Sequence, residues 1–579
     1  SGAKKGRMVC LPREWIIKGR VDKSALPDLK FTPAFRSLMK IRGLDTSGDV
    51  LNFLCPNLGQ LRDPRAMKNM EKACGRILLA IEKKEKIGLF TDYDVDGVCS
   101  AVLIQRFLIN VGCEPPAVFI PDRAGDGYGL NVRGIDELHR KGVSLLITAD
   151  CGITAVEEVG HARSLGMDVI VTDHHEPGAV TPDAYCILNP KQADCPFFGE
   201  DLCGAGVVFH LIVALRSRLR DKGIDCLPNL KEELDLVAMA TIADAVSLSG
   251  INRILVKEGL TILNASGRVG LAALARVSGI NRELFTRDIG YILGPRINAA
   301  GRLSDARKAF DLLITEDEAK ALALARELNE LNRCRQMEEQ QVLSEALGQL
   351  ESAPPLENVV VVQGANWHTG VIGIVASRLS AIFSRPAIVI SVSDGIGIGS
   401  GRSVSGVDLY GAVSKISDHL NDFGGHKMAI GLNINEDRIS ALARDLDSVL
   451  AVPLGLTKSF EIDLKISPLD ITPTLMEELD MLAPFGEGNP EPVFLIPSME
   501  VVATKKYARG QYKLLLKHSN RVFHTLRCTI DEASQELARY VDVAFTPVKM
   551  RTNGHQYLYL ALKAISPAGQ SQEQFPSGS

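Results

Sequence analysis

The sequence predicts an α/β multidomain protein: a parallel-sheet domain, a long connecting helix, a second, smaller α/β domain and a C-terminal OB-type β-barrel. Three observations predict it. From residue 86 onward, short apolar runs alternate with stretches at helical spacing. The segment from Glu316 to Leu350 contains no proline and one late glycine. Beyond residue 455 the periodicity shortens to strand-length runs.

At 579 residues the chain exceeds one ordinary core, and about 150 residues per domain implies about three or four domains. A composition of 46% hydrophobic and 23% charged residues is that of a globular chain. No apolar run reaches the roughly 18 residues that cross a bilayer, so no membrane insertion is expected. The basic residues at the N-terminus are not followed by an apolar stretch, as a secretory signal requires, and the expected location is cytoplasmic. The twelve cysteines are scattered singly, which predicts buried thiols rather than a zinc site or a disulfide scaffold. A net charge of −5 excludes a uniformly basic coat but not a local basic patch.

Taken in order, residues 1–50 carry no pattern that assigns a function. Residues 51–315 contain the runs KIGLF, PAVFIPD, VSLLITAD and MDVIVTDHH, separated by helical stretches. Such repeated βα units build a parallel sheet whose ligands gather beyond the carboxyl ends of the strands. Residues 316–353 read as the connecting helix, broken by Ala353, Pro354 and Pro355. A second α/β pattern occupies 354–454, from VVVVQ through VIGIVASRLSAIF and AIVISV to the glycine-rich GIGIGSGRSVSG. The runs SFEIDLKI, PVFLIP, YKLLLK and DVAFTPVKM predict the barrel over 455–567, and the tail 568–579 has the composition of a disordered segment.

The polar motifs fall at the predicted strand ends. DYDVDG follows KIGLF, and an extended backbone there would turn Asp92, Asp94 and Asp96 toward one side. Alone, this reads equally as an Asp-rich solvated turn. TADCG places Asp150 at a second strand end, and TDHHEP places Asp173, His174 and His175 at a third. Three strands ending in Asp or His bring oxygen and nitrogen donors into one crevice, a mixture that suits Mn²⁺ better than Ca²⁺.

DYDVDG, ADCG, TDHH and the later ATIADAVSLSGINR, in this order, resemble the four motifs of the DHH phosphoesterases. The resemblance makes the first domain the DHH catalytic domain and implies two divalent cations, Mn²⁺ or Mg²⁺, held by Asp92, Asp94, Asp96, Asp150, His174 and Asp244. Asp150 is implied as the bridge, and helical periodicity alone would leave Asp244 an ordinary polar residue. His175 is implied to act in catalysis, as ligand or as substrate contact. The implied chemistry is hydrolysis of a phosphodiester by metal-activated water, with no covalent enzyme nucleophile.

NWHTGVIGIVASRL, GSGRSVSG and FGGHKMAIG resemble the DHH-associated substrate domain. Together with GYGL and GPRINAAGRLSDA, this order is similar to the branch of the family that degrades single-stranded DNA from the 5′ end. That likeness implies a phosphate pocket at Arg378, Ser400 and Arg402, with substrate contacts from His426 and Arg302. It also implies a monomeric enzyme of DNA repair and recombination, with single-strand-binding protein and a helicase as partners. From the residues themselves, Val501 to Ile530 contains no acidic residue. There Lys505, Lys506, Arg509 and Lys513 alternate with Tyr507 and Tyr512, a pattern that lets a barrel grip single strands by charge and base stacking. Two alternatives remain at this level: a short-oligonucleotide or cyclic-dinucleotide phosphodiesterase of the same superfamily, and a non-catalytic DHH-derived replication scaffold.

Overall fold

The computed structural model describes the chain except residues 1–6, 10–13, 124, 126, 128, 198, 266, 353–355, 451–458, 509–510, 531–537, 553–554, 570–572 and 575–579. It divides into two compact units. One comprises residues 57–454 with 486–488, and the other residues 1–56, 455–485 and 489–579.

The first unit is built on a five-stranded parallel sheet in the order Ala117–Phe119, Ile87–Thr91, Leu145–Ala149, Asp168–Thr172 and Cys186–Leu188. Ile87–Thr91 and Leu145–Ala149 are buried along their whole length, as expected of strands covered on both faces. One apolar core holds Val98, Val102, Val208 and Val237 from three helices on one face, and another holds Ile135, Leu138, Val159 and Ala162 on the other. After Ile87–Thr91 the chain steps to one neighbour and then returns to the opposite side, so its carboxyl end lies at the reversal of strand order where α/β folds open a crevice.

The connecting helix spans Glu318–Ser352, 35 residues. Its first half buries Ala321, Ala325 and Leu328 in the core of the parallel-sheet domain, and its second half buries Val342, Leu343 and Ala346 in the next domain. That domain carries a mixed sheet in the order Leu420–His426, Ala429–Asn435, Ile396–Arg402, Ala387–Ser393 and Val360–Ala365.

In the second unit, strands Phe494–Tyr507, Gln511–His518, Arg521–Thr525, His555–Pro567 and Tyr540–Thr552 pair around a closed ring, the last with the first. Closure removes the unpaired edges of an open sheet. The N-terminal residues belong with this barrel: Glu14–Ile17 pairs in parallel with Ser459–Ile462, and Trp15 and Ile17 pack with Leu495, Ala544 and Ala564. Val50 and Leu54 share a core with Phe494 and Phe545. Where the sequence predicts a disordered tail, Glu573–Gln574 forms a two-residue strand paired with Trp15 and Ile16. Its pairing partner lies more than 500 residues upstream, out of reach of any local composition argument. Among the described residues no helix is long and apolar enough to cross a membrane.

Candidate metal centre

The aspartates of DYDVDG do not share one side. Helix Val95–Asn110 starts within the motif, and Asp94 is its N-cap, accepting hydrogen bonds from the Asp96 and Gly97 amides at 2.9 and 3.1 Å. The helical turn sends the three carboxylates to two places. Oxygens of Asp92 and Asp94 gather with Asp150, all within 4.8 Å, while Asp96 gathers with His174 and Asp244.

Backbone groups hold most of these side chains. Asp96 accepts the Gly204 and Ala205 amides at 2.6 and 2.8 Å, at the positive end of helix Gly204–Asp221. Asp150 stands at the end of its strand with φ 64°, a left-handed conformation that turns its carboxylate across the sheet end. A methyl group on Gly204 would lie 2.8 Å from Asp150 Cβ, so glycine is required for the helix to come this close. Asp244 caps the carboxyl end of helix Leu234–Ala243, where the helix dipole disfavours an anion. Such a placement makes sense beside a cation.

His174 Nε2 faces three carboxylates, 3.1 Å from Asp150 Oδ1, 3.6 Å from Asp96 Oδ2 and 3.7 Å from Asp244 Oδ2. Burial, reinforced by the neighbouring His175 charge, lowers its pKa to about 4, so the ring is neutral and free to act as a ligand. Burial, then carboxylate neighbours, push Asp92 and Asp150 well above the usual carboxylate range, and raise Asp244 to about 8. Asp92 Oδ1 and Asp150 Oδ1 are buried without a hydrogen-bond donor. Self-repelling carboxylates, acceptors without donors and a neutral imidazole together fit divalent cations.

Asp173, outside the expected ligand set, has a different task. It is buried and accepts the amides of Ile153, His174 and His175 at 2.9, 2.7 and 3.0 Å. It also accepts His175 Nδ1 at 2.8 Å. Burial opposes the His175 charge, but the hydrogen bond and charge of Asp173 outweigh it and raise that ring to about 9. His175 Nδ1 stands 3.9 Å from Asp150 Oδ1 and is thus aimed first at Asp173.

A second polar site lies where the connecting segment meets the second α/β domain. Arg402 donates to Ser400 Oγ at 3.2 Å, and Arg302 donates to Gly370 O at 3.0 Å. Arg123, on the loop after Ala117–Phe119, lies over the ring of Tyr93 at 5.4 Å. Burial and then the charge of Arg123 lower the pKa of both Arg302, to about 10, and Arg402. Arg302 and Arg402 both feel the charge of Arg123, and guanidiniums gathered in this way suit an anion. The sequence reading missed Arg123, although it follows a fourth strand of the same sheet. Arg378 is placed otherwise: its guanidinium reaches Glu339 Oε1 of the connecting helix at 2.5 Å, beside Arg335. His426 is exposed at the end of strand Leu420–His426.

The DHH family, N-terminal domain, matches residues 86–241, the DHHA1 domain matches 356–452, and the RecJ OB domain matches 462–564. The single-stranded-DNA-specific exonuclease RecJ of Escherichia coli is 36% identical over 493 residues, covering 82% of this chain and 85% of that protein. The chain belongs to the RecJ family. The RecJ of Bacillus subtilis is 38% identical over 490 residues, 84% of this chain and 61% of that longer protein. The crystal structure of RecJ in complex with Mn²⁺ from Thermus thermophilus superposes with a TM-score of 0.81 at 30% identity, covering 97% of this chain and 81% of that one. Its Mg²⁺ complex gives 0.75 at 29% identity, covering 95% and 78%.

On the RecJ-type barrel the expected basic strip is at the surface. Lys505 and Lys506 are exposed, and Tyr507, Tyr512 and Lys513 half-buried. Tyr507 lies under Arg527 at 4.1 Å and near Lys505 at 5.5 Å, and Tyr512 near Lys506 at 5.7 Å. Lys513 lies over Tyr559 at 5.2 Å, with His524 at 6.2 Å from the same ring. Cross-strand pairing with His524 brings Tyr559 to the strip, although it lies 46 positions beyond Lys513 in the chain. Arg509 lies outside the described residues.

Proposed function

We propose that this chain is a divalent-metal-dependent exonuclease that degrades single-stranded DNA from its 5′ end to 5′-mononucleotides in DNA repair and recombination. The observation that carries the reading is the presence, in one compact unit, of a donor cluster suited to cations and a guanidinium pocket suited to a terminal phosphate. Asp92, Asp94 and Asp150 would hold one ion, and Asp96, His174 and Asp244 the other. When bound, the ions supply activation of water and neutralisation of the phosphate oxygens. Arg123, Arg302, Arg402 and Ser400 would grip the 5′ phosphate and thereby set polarity. Asp173 fixes the ring of His175, which holds its Nδ1 proton toward Asp173, and the ring so oriented would contact the substrate.

The finer parts of the proposal are a cytoplasmic monomer, with single-strand-binding protein and a helicase as partners; family likeness supports them. The test is incubation of 5′-labelled and 3′-labelled single strands, duplex DNA, RNA and dinucleotides with Mn²⁺, Mg²⁺ or EDTA. Release of the 5′ label from single-stranded DNA, abolished by EDTA, is the expected result. Release from the 3′ end, or a preference for dinucleotides, would overturn it.

A further inference from the structure

Helix Gly294–Leu303 is preceded without a break by a wider π-type turn, Ile289–Leu293, and by the short helix Thr286–Asp288. Single π turns of this kind often occur at functional sites. This run approaches residues next in sequence to the clustered carboxylates, and a methyl group on Gly290, within the turn, would lie 3.8 Å from Ile242 Cγ2. A methyl group on Gly294 would lie 3.5 Å from Ala243 Cβ and 3.9 Å from Val95 Cγ2, the neighbours of Asp244 and of Asp94 and Asp96. Asn298 Oδ1 accepts the Val95 amide at 2.9 Å, tying the same helical run to the DYDVDG motif.

Ile289 and Leu293 are buried, while Tyr291 between them is 83% exposed, the most exposed of the large hydrophobic side chains described. Phe285 is 49% exposed with Arg282 over its ring at 5.4 Å, and Arg287 is exposed. Arg282 is itself fixed by Asp288, at 2.6 and 2.8 Å. Tyr291 and Arg302 are three helical turns apart on one continuous run, which places them on the same side of it and about 16 Å apart. Arg302 belongs to the guanidinium pocket and Asn298, between them, touches the metal loop. The exposed tyrosine therefore continues a line that already contains the phosphate pocket and the metal-bearing turn.

We propose that Tyr291, with Phe285 and Arg287 exposed shortly before it in the chain, is a base-stacking contact for single-stranded DNA on the catalytic unit, taking a base on the 3′ side of the scissile phosphodiester. The inference rests on the reading of function above, which supplies the strand. An aromatic face with cationic neighbours suits any base, since each presents a π-surface to stack on and a phosphate to neutralise. A dinucleotide is too short to reach from the phosphate pocket to Tyr291, so the contact serves long substrates alone.

The test compares Tyr291→Ala, Tyr291→Phe and the unaltered protein on a long single strand and on the dinucleotide pApA, with thermal melting as a check on folding. Tyr291→Ala is expected to raise KM for the long strand about tenfold, to leave pApA hydrolysis and the melting temperature unchanged, and to be rescued by Tyr291→Phe. Tyr291→Trp provides a second readout, since its fluorescence should be quenched when a long strand binds in the presence of Ca²⁺. An unchanged KM for the long strand, or equal losses on both substrates, would overturn the stacking role while leaving the exonuclease reading intact. Failure of the unaltered protein to cleave single strands would overturn both.

Discussion

The acidic cluster and the guanidinium pocket are both assemblies of like charge, but they are held by different means. Amides hold the acidic side: those of Gly204 and Ala205 on Asp96, those of Asp96 and Gly97 on Asp94, and three on Asp173. All these groups lie at the ends of one sheet and the helices packed on it. The cationic side is assembled from a sheet loop at Arg123, a helix at Arg302 and the substrate domain at Arg402, and is steadied by carbonyl contacts such as Gly370 O and Gly401 O. The difference teaches that the acidic cluster is preorganised within one layer of the fold, whereas the group of arginines draws on two domains, so the proposed recognition of the substrate end would need both in place together.

The strongest way to break this contrast is Asp150→Ala, which removes a carboxylate common to two of the donor groups. Hydrolysis is expected to fall about a thousandfold or more, with weaker Mn²⁺ binding by calorimetry. Gly204→Ala tests the amide scaffold without touching a ligand. Its added methyl group displaces Asp150 or the helix end, and metal affinity should fall about tenfold to a hundredfold, as for groups that orient ligands. Arg402→Ala tests the cationic side: KM for 5′-phosphorylated strands should rise about tenfold or more, with metal affinity unchanged and 5′-hydroxyl strands little affected. Equal losses on both kinds of strand would contradict a phosphate-end pocket.

A pH experiment sharpens the acidic half. Burial and the charges of Asp96 and Asp94 raise Asp244 to about 8, so the metal-free folded chain binds a proton there that the unfolded chain releases at an ordinary carboxylate value. The folded state then binds more protons between those values, and the stability of the metal-free protein falls as pH rises toward about 8. Melting temperature in EDTA should decline over this interval, and Mn²⁺ should restore it. The smallest effect is expected for Arg378→Ala. Its partner Glu339 keeps Arg335 at 3.0 Å, so the change should cost about 1 kcal/mol of stability and leave the preference for 5′ phosphate intact.

The catalytic sheet was legible because each strand carries its own apolar run and its own polar end, so spacing along the chain maps onto position in space. Asp92, Asp150 and His174 could therefore be placed from pattern alone. Asp244 could not, since it caps a helix and its meaning comes only from what faces it; motif resemblance supplied it. The split among Asp92, Asp94 and Asp96 depended on where a helix begins, a boundary that a capping hydrogen bond decides. Arg123 and Tyr559 were missed because their partners are distant in sequence, and the exposure of Tyr291 follows from packing around a π turn that periodicity does not reveal. The N-terminal strand was illegible for the same reason: Glu14–Ile17 acquires a partner only at Ser459–Ile462.

That last pairing has a consequence for biosynthesis. Residues 57–454 are translated between Trp15 and Ile17 and the segment beyond residue 455 whose core these two side chains enter. At about 5–20 residues per second, the interval of roughly 400 residues lasts tens of seconds. Throughout it the nascent chain carries an apolar N-terminal strand with an open edge, the kind of surface that holdase chaperones bind.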